Sequence, residues 1–185
     1  MKTNTLFVLL LFILACQVNA QTSETCPCKN DLKLDVFHLT SISTVKVEYE
    51  YLLNKRSSFG AVASYRFNSW SIFHNSSGFP EMQLLGTYRF YFGKKTASGF
   101  FLEGNMGLIN WLGWNDFRNC PPSGGCYSWS TRDKVMYGFG MGGAFGWKFF
   151  MPKSNTVLDI FAGLGKVIGH DQAYLRTGVS VGKRF

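Results

Sequence analysis

The stretch VMYGFGMGGAFGWKF, residues 135–149, places two kinds of side chain at alternate positions. The odd-numbered positions are mostly large and apolar, whereas the even-numbered positions are mostly glycine. A period of two indicates a β-strand with two different faces. Small residues suit the interior of a narrow barrel, where side chains are crowded. The stretch therefore predicts a barrel strand whose glycine face points inward.

The same alternation recurs along the chain. In residues 44–52, Val45, Val47, Tyr49 and Tyr51 share one face, and Lys46, Glu48 and Glu50 share the other. The pattern predicts eight strands, at approximately 31–41, 44–53, 57–68, 82–92, 98–111, 134–150, 156–166 and 172–185. Most of these lengths match the 9–11 residues that a tilted strand needs to cross a bilayer. The predicted fold is an all-β, eight-stranded antiparallel up-and-down transmembrane β-barrel.

Alternation alone does not say which face is inside, because a secreted lipocalin is also an eight-stranded barrel but has an apolar interior. Three features favour a polar interior. The glycines share the polar face, and aromatic residues fall near strand ends, as in interfacial girdles: Trp111, Trp147, Phe149, Phe90 and Phe92. Short connections, each with a lysine (54–57, 93–98 and 151–154), alternate with long ones (68–81 and 112–133). Short periplasmic turns opposite long outer loops are typical of outer-membrane barrels.

The first twenty residues have the pattern of a secretory signal peptide, with one lysine, an apolar run and small residues before Ala20. We therefore predict a signal peptide at 1–20, a periplasmic N-terminal segment at 21–30 and the barrel at 31–185. The run before Cys16 also resembles a lipobox, so lipidation of Cys16 stays open. The predicted location is the outer membrane of a Gram-negative cell.

The charge composition argues for export to a membrane rather than for nucleic-acid binding. The formal net charge is +8, yet charged residues make up only 16% of the chain, against about 25% in soluble proteins. The basic residues are scattered, and the chain has neither a phosphate-binding loop nor a zinc-finger spacing. We therefore expect no nucleic-acid partner.

Charged residues on the polar face should meet inside the barrel and form an ion-pair network. The predicted members are Lys46, Glu48, Glu50, Arg66, Arg89, Glu103, Asp159 and Arg176, and the same parity adds Lys33, Asp35, Lys148 and Arg184. We interpret them as a structural plug; a proton or ion path is the functional alternative. Eight strands leave no room for a water-filled channel.

No catalytic, cofactor or metal site is predicted. Some eight-stranded outer-membrane barrels modify lipid with a serine or histidine constellation at the outer rim. The three histidines are His38, late in the first predicted strand, and His74 and His170, in outer loops, and their spacing is not diagnostic.

The cysteines form two pairs. Cys120 and Cys126 flank a Pro-Gly turn in the longest outer loop, which in an exported protein predicts a disulfide. Cys26 and Cys28 precede the first strand; one-residue spacing strains a direct disulfide, and two ligands make no closed metal site.

Three segments resemble an uncharacterised outer-membrane β-barrel family that is abundant in Bacteroidota. They are LKLDVFHLTSISTVKVEYEYLLNKRSSFGAVASY, TYRFYFGKKTASGFFLEGNMG and RTGVSVGKRF. The terminal Phe185 also resembles the signal by which outer-membrane barrels are recognised for assembly, although Lys183 stands where an aromatic residue is usual. The resemblance implies the fold but no established activity.

These features together predict a non-enzymatic, monomeric outer-membrane barrel that anchors surface loops. Its expected partners are outer-membrane lipid and, during biogenesis, the barrel-assembly machinery. The alternatives are a lipid-modifying or small-ligand-binding outer-membrane barrel, or a lipocalin-like secreted carrier.

Overall fold

The computed structural model describes residues 28–67, 80–93, 95–119, 127–170 and 172–185. In the outer parts of two long strands, at 111–119 and 127–135, the description covers the backbone only. The elements in chain order are β1 (Asn30–Asp35), α1 (Val36–Ser41), β2 (Thr44–Leu52), β3 (Ser57–Arg66), β4 (Met82–Tyr91), β5 (Gly99–Asn119), β6 (Tyr127–Met151), β7 (Thr156–Val167), β8 (Ala173–Leu175) and β9 (Gly178–Arg184).

The strands form one closed antiparallel barrel. Each strand from β1 to β7 pairs with the next along the chain, and β9 closes the circle by pairing with both β7 and β1. β8 and β9 are two parts of one strand, because Leu164↔Leu175 and Phe161↔Gly178 keep the same register across the interruption at Arg176 and Thr177. The predicted eight-stranded antiparallel up-and-down barrel is therefore confirmed.

The two ends of the barrel differ. We call the end with the short turns 53–56, 92–98 and 152–155, where Asn30 and Phe185 also lie, the turn end. The opposite end, with α1 and the connections after β3 and β7, is the loop end. At the turn end, Asn30 and Phe185 pair through two backbone hydrogen bonds of 3.0 and 2.8 Å.

The prediction that the first strand runs over 31–41 is wrong in its second half, because the chain leaves the sheet after Asp35 and forms α1. Asp35 caps this single-turn helix, since its Oδ1 accepts from the backbone N–H of His38 at 3.0 Å. The helix places Ile42 and His38 inside the barrel, where they are buried.

The expected long outer loop at 112–133 is also corrected. β5 and β6 continue as a paired hairpin as far as Asn119↔Tyr127, with a register shift between Gly113 and Asn115. The two strands are 21 and 25 residues long, about twice the length needed to cross a bilayer. The hairpin therefore projects beyond the loop end of the barrel.

Glycines on the inner face of β6 make room for aromatic side chains from nearby strands. A Cβ atom at Gly140 would lie 2.9 Å from the ring of Tyr174, and one at Gly146 would lie 2.8 Å from Phe101. Both contacts are closer than a methyl group tolerates, so the inward glycines are a packing requirement. No helix among the described residues is long and apolar enough to cross a membrane.

Candidate functional site

Among the residues that the structure describes, twelve Lys, Arg, Asp and Glu side chains lie inside the barrel, and each is at most 4% exposed. Six are cations and six are carboxylates: Lys33, Lys46, Arg89, Lys148, Arg176, Arg184, Asp31, Asp35, Glu48, Glu50, Glu103 and Asp159. The formal charge of the set is therefore zero. Buried charges are costly unless they are paired, and this balance allows each of them to have a partner.

Arg89, on β4, is the centre of the network and contacts four carboxylates. Its Nη2 lies 2.8 Å from Glu48 Oε1 and 2.7 Å from Glu103 Oε2. Its Nη1 lies 3.0 Å from Glu50 Oε2 and 2.8 Å from Asp159 Oδ2. The planar guanidinium group presents its donors in a fixed fork that suits several acceptors. Arg89 thereby joins four strands across the interior.

Lys33 and a second arginine, Arg176, complete the central cluster. Lys33 Nζ lies 2.5 Å from Glu48 Oε1 and 2.6 Å from both Glu50 and Asp159. Glu50 Oε1 accepts from the hydroxyls of Tyr91 and Ser58, each at 2.5 Å. The guanidinium of Arg176 donates from Nε to Glu103 Oε1 at 2.9 Å and from Nη2 to Glu48 Oε2 at 3.2 Å, and the ring of Phe161 lies 4.5 Å away.

At the turn end, Asp31 extends this network to the last strand. Arg184 binds Asp31 through two hydrogen bonds, 2.7 Å from Nε and 3.0 Å from Nη2. Lys148 Nζ bridges Asp31 and Glu50 at 3.0 and 2.6 Å. Arg184 also donates to the backbone oxygens of Thr96 and Ala97, both at 3.3 Å. These bonds fix the turn between β4 and β5 against the mouth of the barrel.

A smaller cluster lies beside α1, nearer the loop end. Asp35 Oδ2 lies 2.9 Å from both Lys46 Nζ and His38 Nδ1. Lys46 also donates to the backbone oxygen of Thr177 at 2.9 Å. This cluster holds α1 against the wall of the barrel.

Two apolar clusters pack with the charged residues inside the barrel. Leu52, Tyr91, Ala97, Phe101 and Phe161 form one cluster, and Val62, Leu85, Ile109, Val167 and Tyr174 form the other. On the inner face of β4, for example, Tyr91, Arg89, Thr87 and Leu85 stand at alternate positions. Within the part of the chain that the structure describes, the interior is packed rather than open.

The three carboxylates Glu48, Glu50 and Asp159 lie close enough together to hold a metal ion. Lys33 Nζ already contacts all three of them, and Arg89 contacts each as well. The ammonium and guanidinium groups occupy the positions that a cation would take. The cluster is therefore built for ion pairing within the protein.

Seven of the eight predicted network members lie inside the barrel, and Arg66, at the loop end of β3, is only partly buried. Asp31, which has the parity of Lys33 but stands at the start of its strand, is buried although it is not among the predicted members. His38 is also buried, whereas an uninterrupted strand would have turned that side chain outward. Phe185 is exposed beside Asn30, and its role as an assembly signal stays a prediction.

Several other predicted residues lie outside the described residues: the signal peptide, Cys16, Cys26, Cys120, Cys126 and His74. His170 is exposed beyond β7, and Cys28 is a free thiol just before β1. Asn119 and Tyr127, which flank the segment 120–126, are register partners. The hairpin therefore brings the two flanks of the predicted disulfide together.

The outer face of the barrel has the opposite character. Strands β1 to β7 all present large apolar side chains outward, such as Tyr49, Phe59, Met106 and Phe145. Near the turn end, aromatic rings form a continuous arc over β4, β5 and β6: Phe90–Phe92, Phe92–Phe100, Phe100–Trp147 and Trp147–Phe149, with centroids 5.2, 5.6, 6.4 and 6.3 Å apart.

No family model matches the chain, and no curated protein matches it. Among solved structures, the chain is similar to the N-terminal β-barrel domain of OprF from Pseudomonas aeruginosa, with 13% sequence identity and a TM-score of 0.43. The match covers 85% of this chain and 98% of the OprF domain.

Proposed function

We propose that this protein is a monomeric, non-enzymatic barrel of the outer membrane that anchors an extracellular hairpin and loops. The observation that carries the proposal is the inversion of its two faces: large apolar side chains point outward all around the barrel, while twelve charges are buried inside. Monomeric soluble proteins rarely expose apolar patches above a few hundred Å². A lipid bilayer is the solvent in which such a surface is stable.

Strand length and closure support the membrane assignment. β2, β3, β4 and β7 contain 9, 10, 10 and 12 residues, close to the length of a tilted bilayer-spanning strand. A spanning structure must pair every backbone polar group internally, which only helices and closed barrels achieve. The closure of β1 on β9 meets this requirement. The aromatic arc near the turn end fits an interfacial girdle.

The packed interior favours an anchor over a channel or carrier. A pore needs a continuous water path, whereas here apolar clusters and ion-paired charges fill the inner faces of the described strands. A lipocalin-like carrier needs an apolar cavity, yet the inner faces of β1, β2 and β4 present Lys33, Glu48, Glu50 and Arg89. The alternative of a lipid-modifying enzyme is less favoured, since His38 is engaged with Asp35 inside the barrel.

The orientation follows from the two ends. Outer-membrane barrels have short periplasmic turns and longer extracellular loops, so we assign the turn end to the periplasm and the β5–β6 hairpin to the cell exterior. The barrel would then serve as a rigid base for that hairpin. We also propose that the chain is a member of the Bacteroidota barrel family that its sequence resembles.

Heat modifiability combined with bilayer conductance tests this proposal. The protein, refolded in phosphatidylcholine vesicles, should migrate differently in a denaturing gel before and after boiling, because a closed barrel resists detergent. Planar bilayers containing it should show no discrete channel currents. Identical migration would contradict the barrel in lipid, and reproducible single-channel steps would contradict the plugged interior.

A further inference from the structure

Exposed cations surround the turn end of the barrel. They are Lys29 before β1, Lys55 and Arg56 between β2 and β3, Lys95 between β4 and β5, and Lys153 between β6 and β7, which together we call the basic ring. The chain carries 19 Lys and Arg against 11 Asp and Glu, while the interior set is balanced at six of each. The interior set therefore contributes nothing to the net charge of +8.

Among the described residues, the basic ring has no exposed acidic side chain at its own end. The side-chain carboxylates near the turn end are Asp31, Glu50 and Asp159, and all three are buried in ion pairs with interior cations. Within the described ranges, none of the five cations of the ring forms a salt bridge. An exposed charge of one sign attracts ligands of the opposite sign, so the ring is suited to anionic groups.

The cations are spread around the barrel rather than gathered on one side. The first strand and all three short turns each contribute at least one. Backbone hydrogen bonds link their neighbours around the mouth: Leu52 N–H donates to Lys29 O at 2.7 Å, Ala97 N–H donates to Lys55 O at 2.9 Å, and Arg184 N–H donates to Asn155 O at 2.8 Å. A circular arrangement matches a partner that itself surrounds the barrel.

Each short turn also places its cation next to the apolar side chains of the outer face. Leu53, Phe92 and Met151, which precede the three turns, all point outward and are at least 46% exposed. The cations thus stand just beyond the residues that would meet the acyl chains. In a bilayer this is the depth of the lipid headgroups, which long basic side chains reach readily.

We propose that the basic ring binds the headgroups of anionic phospholipids in the periplasmic leaflet and so holds an anionic lipid annulus around the turn end. This inference rests on the proposed membrane insertion. A circular set of cations at headgroup depth favours lipid over a cell-wall polymer, which would approach from the aqueous side. The ring also resists reversal of the barrel, because its charges would have to cross the hydrocarbon layer.

Spin-labelled lipids measure this selectivity directly. The protein is refolded in phosphatidylcholine vesicles with trace spin-labelled phosphatidylglycerol or phosphatidylcholine, and the motionally restricted fraction gives their relative association constant. We expect phosphatidylglycerol to be favoured about two- to fivefold, the order contributed by a cation near an anionic surface. This preference for phosphatidylglycerol should disappear in a quadruple variant of the basic ring, Lys55→Gln/Arg56→Gln/Lys95→Gln/Lys153→Gln.

A matched variant removes four cations from segments towards the loop end and should keep most of the preference for phosphatidylglycerol. Its substitutions are Arg118→Gln, Arg132→Gln, Lys134→Gln and Lys166→Gln. An equal loss in both variants would overturn the inference, because net charge rather than the ring would then be responsible. The inference would also be overturned if the unmodified protein showed no preference for phosphatidylglycerol. It would be overturned as well if the protein showed no lipid selectivity but sedimented with purified peptidoglycan in a way that requires the basic ring. Failure to give a heat-modifiable band in pure phosphatidylcholine would instead refute membrane insertion itself.

Discussion

The inner and outer faces of the barrel are built from the same strands but follow opposite rules. On β4, Arg89 is 1% exposed among four carboxylates, while its neighbour Tyr88 points outward and is 49% exposed. In a water-soluble barrel the charged side chain would be outside and the aromatic one inside. The inversion supports the proposal that the outer face meets an apolar medium, while the inner face meets protein charges.

The two faces should also differ in how much they depend on particular partners. An apolar side chain in lipid contacts a fluid that rearranges around a substitution. A buried charge contacts fixed partners, and the loss of one leaves the others uncompensated. Substitutions on the inner face should therefore cost much more stability than substitutions of similar size on the outer face.

The largest difference is expected between Arg89→Leu and Tyr88→Leu. Loss of Arg89 leaves Glu48, Glu50, Glu103 and Asp159 with an excess of negative charge, which should lower the free energy of unfolding by about 3–5 kcal/mol. Tyr88→Leu keeps an apolar side chain in lipid and should have a much smaller effect. Urea unfolding of both variants in vesicles measures the difference.

A second inner-face change sharpens the Arg89 test. Glu103→Gln combined with Arg89→Leu removes one of the stranded negative charges and should recover part of the lost stability. Equal unfolding free energies for Arg89→Leu and Tyr88→Leu would mean that the ion-pair network does not stabilise the barrel.

The next difference concerns volume rather than charge. A side chain at Gly140 points towards Tyr174 and Ile109, so Gly140→Trp should overpack the interior and destabilise the protein by about 1–3 kcal/mol or more. Phe139, which is 44% exposed, faces outward, and Phe139→Trp should be mild. Thermal unfolding followed by gel migration compares the two, and a greater loss from Phe139→Trp would reverse the assignment of the faces.

The smallest effect is expected where neither face is involved. Cys120→Ser opens the predicted disulfide at the tip of the hairpin and should lower the free energy of unfolding by less than about 2 kcal/mol, because the closed loop is short. The barrel should still be heat-modifiable, with one thiol newly reactive. Non-reducing peptide mapping checks the pairing, and a bond from Cys26 or Cys28 to either hairpin cysteine would contradict the topology.

Local alternation sufficed to predict the strands and their faces, because each residue's side is set by its parity. The pattern failed where a local interaction competed with the sheet. Asp35 caps α1 through the N–H of His38, which ends β1 although the following residues still look like a strand. The outer hairpin was missed because the register shift between Gly113 and Asn115 interrupts the alternation, and the Pro- and Gly-rich stretch 121–125 is typical of a loop.

The alternation of positions along each strand predicted which charged side chains lie inside the barrel, but it could not predict which of them form ion pairs. Arg89 and Asp159 are 70 residues apart in sequence, and they meet only because β9 closes the barrel between β7 and β1. Likewise, Asp31 contacts Arg184 across 153 residues. Such pairs depend on barrel closure and strand register, which a single sequence does not specify.

The most direct test of the inverted faces is a depth profile along β4. Single spin labels replace outward-facing Met82, Leu84, Gly86, Tyr88 and Phe90 or inward-facing Thr87, with the native cysteines changed to serine, and the protein is refolded in vesicles. Collisions with oxygen should peak at the middle outward positions, collisions with a water-soluble nickel complex should be lowest there, and Thr87 should be shielded from both. High nickel accessibility along the whole outward face would contradict the account, because that face would then lie in water.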